Sequence, residues 1–103
     1  MSTTFKRKPQ LITEKQFTNS WQPIKNGHHI KGKGWEATVQ YASFYIYQGK
    51  AIALFKYKIK VGGVRYWSEP EFETDTEAMM FAYRKLRSLN VIAPMPRVKM
   101  QAS

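Results

Sequence analysis

Lys56, Lys58 and Lys60 are the residues of this sequence whose type and spacing say most about chemistry. They sit in the run Ala51-Ile52-Ala53-Leu54-Phe55-Lys56-Tyr57-Lys58-Ile59-Lys60-Val61. Successive side chains of a strand point to opposite faces. Ala53, Phe55, Tyr57, Ile59 and Val61 therefore share one face, and the three lysines share the other. A strand that only closes a core does not need three ammonium groups in a row on its open face; a surface meeting a polyanion does. The other groupings offer less. His28 and His29 are adjacent, so in regular structure they point apart, and the residues around them supply no further metal ligand. Lys31-Gly32-Lys33-Gly34 has the composition of a phosphate-cradling loop, but neither the P-loop spacing nor its following Ser or Thr. Glu69, Glu71, Glu73, Asp75 and Glu77 are explained as strand-edge and helix-capping charges without invoking a hydrolytic metal cluster. No enzyme, no metal site and no cofactor is expected.

Composition agrees with a binding role. The chain has 103 residues, 43% of them hydrophobic and 15% aromatic, which suits one domain with a modest core. The formal net charge is +10 and it is unevenly spread. Residues 1–68 hold twelve Lys/Arg and two acids, residues 69–83 hold five acids and no base, and residues 84–103 hold five bases and no acid. This balance favours nucleic acid, an anionic membrane or an acidic protein surface as partner. There is no cysteine, which removes disulfides and thiolate zinc sites. No apolar run approaches the length of a membrane span, and Met1 to Gln10 lack an apolar signal core. A cytoplasmic protein with no membrane partner is expected.

The lysines need elements to position them. Lys6-Arg7-Lys8-Pro9 reads as a basic arm. Thr13-Glu14-Lys15-Gln16 is a capping box that starts a short helix, ending before Gln22-Pro23. Lys25 to Gly34, with three glycines and three lysines, reads as a loop. From Trp35 the alternation of Trp35, Ala37, Val39 and Tyr41 with Glu36, Thr38 and Gln40 predicts a half-buried strand. Its parity slips to Ala42, Phe44 and Ile46, which predicts a bulge near Tyr41–Ser43. Gln48-Gly49-Lys50-Ala51 is a tight turn, and Gly62-Gly63 a two-residue hairpin loop. Val64 to Ser68 is the next strand. Thr74-Asp75-Thr76-Glu77 caps a helix that runs to about Leu89 and stops at Asn90, with Ala78, Ala82, Leu86 and Leu89 as its buried stripe. The expected fold is α+β: a three-stranded antiparallel meander with one helix on one face, plus an irregular basic N-terminal segment. The expected division is 1–34 arm and loop, 35–92 sheet and helix, and 93–103 a loose basic tail.

The hairpin loops set the register. Gly62-Gly63 places Val61 opposite Val64, Lys60 opposite Arg65, Ile59 opposite Tyr66 and Lys58 opposite Trp67. A Gly49-Lys50 loop would place Tyr47 opposite Ile52 and Tyr45 opposite Leu54. One helix covers one face, and the side of Phe44, Ile46, Phe55, Tyr57, Ile59 and Tyr66 is the expected one. The open face then presents Lys56, Lys58, Lys60, Arg65, Trp67, Tyr45 and Tyr47. Lys6, Arg7, Lys8, Lys31 and Lys33 add further cations. Cations neutralise phosphates, and rings offer stacking planes for unpaired bases.

Arg65-Tyr66-Trp67, followed by Phe72-Glu73-Thr74-Asp75-Thr76-Glu77-Ala78 and Ala82-Tyr83, resembles the end of the plant ethylene-response-factor DNA-binding domain. It is also similar to the arm-site-binding domains of phage and transposon integrases. The resemblance covers roughly residues 35–90. It implies three antiparallel strands and one packed helix that read the major groove with the sheet. The arginine-rich base-reading pattern of those domains is absent from the first strands, so no base-specific role carries over. The expected function is a small DNA- or RNA-binding protein. The second expectation is a phage-type, anti-CRISPR-like inhibitor that docks on the nucleic-acid-binding surface of a nucleoprotein complex.

Overall fold

The computed structural model describes residues 9–94. Lys6, Arg7, Lys8 and the tail from residue 95 lie outside the described residues. The elements in chain order are β1 (Gln10–Leu11), α1 (Glu14–Asn19), β2 (Gln22–Ile24), β3 (Gly27–Gly32), β4 (Trp35–Tyr47), β5 (Lys50–Val61), β6 (Val64–Trp67), α2 (Asp75–Ser88) and β7 (Ile92–Ala93). The fold is α+β. Its main sheet is an antiparallel meander in the order β2-β3-β4-β5-β6.

Five strands stand where three are expected, because residues 25–34 are not a loop. Ile24 pairs with Gly27 and Gly32 with Trp35, so Lys25-Asn26 and Lys33-Gly34 are two-residue turns around a real strand. Asn26 (φ 64°) and Gly34 (φ 78°) take the left-handed conformation those turns need. The polar face of β3 disguises it; its inward residue is Ile30, which is buried. The sheet therefore begins at Gln22, inside the segment assigned to the arm. Gly62 (φ 55°) and Gly63 (φ 86°) form the last turn, and the four pairs from Val61–Val64 to Lys58–Trp67 are those the turn dictates. The turn between β4 and β5 is Gln48-Gly49, both at positive φ, so Tyr47 pairs with Lys50 and Tyr45 with Ile52. That differs by two residues from the expected register and leaves every face assignment intact. The ladder shifts between Tyr41 and Ser43, where the parity slip places the bulge.

Thr13 caps α1 with a complete capping box. Thr74 caps α2 by accepting from the Glu77 amide at 3.0 Å, which is the Thr half of that motif. Asn90 ends the helix at φ 64°. One face of the sheet is closed by both helices. Phe17 of α1 packs on Trp21, Trp35 and Tyr83, and Ala78, Met79, Ala82, Tyr83 and Leu86 of α2 cover Ala37, Val39 and Ile59. Phe55, Tyr57 and Tyr66 pack at the margin of this core.

Phe44 and Ile46 do not belong to it. They are 57% and 62% exposed, because β4 and β5 run on as a two-stranded ribbon past the last residue of α2 that could cover them. The N-terminal segment is also more tightly held than an arm. β1 pairs in parallel with β7, Gln10 Oε1 accepts from the Lys33 amide and the Trp35 indole, and Tyr83 Oη donates to the Ile12 carbonyl. Among the described residues no helix is long and apolar enough to cross a membrane.

Candidate nucleic-acid interface

The face turned away from the helices is built from three rows of side chains that run across the strands. One row is Lys31, Glu36, Lys60 and Arg65, the next is His29, Thr38, Lys58 and Trp67, and the third is Gln40 with Lys56. Residues in a row stand about 4.8 Å apart from strand to strand, and the rows are about 6.7 Å apart along β5. Glu36, Thr38, Lys58, Lys60, Arg65 and Trp67 line one open depression of about 360 Å³. The strong β5–β6 turn builds its outer wall, since β6 exists only because Gly62-Gly63 folds it back.

Charge on this face is largely uncompensated. Among the described residues the ion pairs are His28–Asp75 at 3.6 Å and His29–Glu36 at 3.1 Å. Neither involves Lys31, Lys33, Lys56, Lys58, Lys60 or Arg65. Glu36 is the acid that lies among the cations, and its Oε1 is engaged by His29 Nε2. The two histidines do point apart: His28 meets α2 behind the sheet, and His29 lies on the basic face. Among the described residues no three His, Cys, Asp or Glu converge to hold a metal ion.

The structure divides the expected set. Lys58, Lys60, Arg65 and Trp67 come together, with Trp67 60% exposed. Lys56 lies one row further on, beside Gln40. Lys31 borders Glu36 from β3, and Lys33 sits in the β3–β4 turn. Tyr45 and Tyr47 do not join the depression. They pair with Ile52 and Lys50, about 20 Å and about 27 Å along β5 from the Lys58–Trp67 row. Tyr45 Oη instead donates to Glu73 Oε2 at 2.8 Å. That hydrogen bond, with desolvation and the Glu73 charge, raises the Tyr45 phenol above its ordinary value. Lys6, Arg7 and Lys8 lie outside the described residues. Glu36 and Thr38 of β4 also lie on this face, and so does His29, which reading 25–34 as a loop misses. The signal for it was Lys33-Gly34 placed immediately before an alternating strand, an X-Gly hairpin turn.

No protein-family model matches the chain, and no curated protein or solved structure is similar enough to it to carry an inference.

Proposed function

We propose that this chain binds nucleic acid on the open basic face of its sheet. Lys56, Lys58, Lys60, Arg65 and Lys31 hold phosphates there, and Trp67 offers a stacking plane. The observation that carries the reading is the depression itself: unpaired cations around one exposed indole, on the face that both helices leave open. Cations spaced along a strand meet a phosphate backbone without needing a particular sequence, and the ring adds contact with a base. The resemblance to sheet-reading DNA-binding domains points the same way.

Docking on a nucleoprotein complex as an inhibitor would draw on the same cations. That role asks for the aromatic residues in one apolar patch, whereas Trp67 stands apart from Tyr45 and Tyr47.

Fluorescence anisotropy with labelled single-stranded and duplex oligonucleotides at roughly 50 mM salt, a condition that favours phosphate-driven affinity, tests the proposal. Binding that weakens steeply as salt rises is expected. No binding to either form sinks it. A protein complex recovered from host lysate that survives nuclease would then transfer the face to a nucleoprotein target.

A further inference from the structure

The ribbon formed by Tyr41–Tyr47 and Lys50–Leu54 has an edge that no described strand occupies. β3 covers β4 only as far as Gln40, with the Tyr41 amide donating to Asn26. Hydrogen-bond direction along β4 follows from its partner. Phe55 gives both its N–H and its C=O to Phe72, so Leu54 turns its own toward β4, where it meets Ser43. By alternation Ser43, Tyr45 and Tyr47 bond to β5, and Phe44 and Ile46 turn their N–H and C=O groups to the open edge. Proteins ordinarily blunt such an edge with lysine, proline or a covering element. From Tyr41 to Tyr47 this edge carries no lysine or proline, and no described element covers it.

The geometry points to a second copy of this chain as the occupant, paired antiparallel along this edge about a two-fold axis at Tyr45. In that register Phe44 of each copy faces Ile46 of the other, and the two pairs exchange four main-chain hydrogen bonds. Tyr45 meets Tyr45 at the axis. Phe44 beside Ile46 is an aromatic and β-branched pair of the kind that stabilises sheets. The pairing runs from Ser43 to Tyr47, and the Gln48-Gly49 turn of one copy ends level with Tyr41 of the other, where Asn26 accepts from the Tyr41 amide. Charge supports a like partner: residues 37–49 are the longest run without a charged side chain in a chain of net charge +10. Two copies can meet there without opposing their cations. Tyr41, Phe44, Tyr45, Ile46 and Tyr47 are 39–62% exposed. At about 150–250 Å² per large side chain they hold roughly 600 Å², against about 800 Å² per partner in a standard interface. That suits a reversible dimer. A two-fold axis normal to the sheet keeps both lysine faces on one side.

The wild-type chain at roughly 100 µM, where a dimer with a Kd as weak as about 10 µM is still mostly formed, should sediment at twice the 12.1 kDa monomer mass. Phe44→Lys combined with Ile46→Lys opposes cations across the edge and should return the monomer with an unchanged circular dichroism spectrum. The register has its own test, because the chain has no cysteine. Tyr45→Cys places two thiols across a non-hydrogen-bonded pair, Cα to Cα about 4.5 Å, within disulfide reach. It should oxidise to a covalent dimer at least tenfold faster than Val64→Cys, a control on β6 that is more exposed, 52% against 39%. A monomeric wild type overturns the proposal, whether the edge is covered by another segment of the chain or left to a different partner. A dimer that survives the double lysine variant, or equal oxidation of the two cysteine variants, overturns it as well.

Discussion

Lys58 and Trp67 face each other across β5 and β6, yet the proposed interface asks different things of them. An ammonium on a phosphate acts by releasing counterions, so its contribution depends on salt and hardly on sequence. Lys58→Ala should shallow the slope of log affinity against log salt by about 0.9 on duplex or about 0.7 on a single strand. An indole that stacks is indifferent to salt and requires an unpaired base. Trp67→Ala should cost about 1–3 kcal/mol on single strands and little on duplex. Neither side chain lies in the core, so the thermal midpoint should hold in both variants. Titrations of the two variants on both forms of oligonucleotide check this. An unchanged salt slope for Lys58→Ala removes Lys58 from the interface, and equal losses on both forms for Trp67→Ala exclude stacking.

At the scale of elements, the helices hold the basic face open by committing themselves to the other side. Tyr83 is the joint in this arrangement: its ring packs on Phe17 of α1 and its hydroxyl donates to the Ile12 carbonyl at 2.8 Å. Burial raises its phenol above the ordinary value; Arg87 opposes the shift and Glu14 adds to it. A phenol raised in the folded state favours the protonated form there. Its contribution is therefore complete below pH about 10, the unfolded value, and is lost as pH rises through the folded value. Tyr57 is raised in the same direction, chiefly by burial and then by Glu71. Tyr83→Phe should cost about 0.5–1.5 kcal/mol at neutral pH, the net worth of one hydrogen bond. It should also lose less stability than wild type between pH 10 and 11, as denaturant melts at matched pH would show; parallel losses would exclude Tyr83 as the source. Legibility in the sequence varied by element for physical reasons. The β5–β6 hairpin could be read residue for residue, because Gly-Gly turn chemistry and a two-residue period leave one register. β3 could not, because a short strand between β2 and β4 buries only Ile30 and can otherwise carry the glycines and lysines of a loop. Phe44 and Ile46 expose a different limit. Alternation tells which residues share a face, and says nothing about whether another element is long enough to cover it. The basic cluster was legible for the same reason as the hairpin, while Tyr45 and Tyr47 were displaced from it by the length of the ribbon.

Across the whole molecule, the two ends of the described chain are fastened to each other. β1 and β7 pair in parallel, and Gln10 Oε1 receives both the Lys33 amide at 2.9 Å and the Trp35 indole at 3.0 Å. Trp35 is 3% exposed, so without Gln10 its N–H would be buried and unpaired. The described fastening begins at Gln10. A deletion ahead of Pro9 removes Lys6, Arg7 and Lys8 and touches no cation of the sheet. Removing residues 1–8 should leave the melting temperature within about 4–8 °C of wild type, the shift that corresponds to about 1 kcal/mol in a domain of this size. The same deletion should test how the charge of +10 is used. If the arm grips phosphates beside the sheet, the salt slope on duplex falls by up to about 2.7, three contacts at about 0.9 each. If the sheet face alone carries binding, the slope stays where it was and affinity drops only by the weaker long-range attraction of a less basic chain. A truncated chain that unfolds would show instead that the first eight residues complete the clasp, and the arm would no longer count as a separate grip.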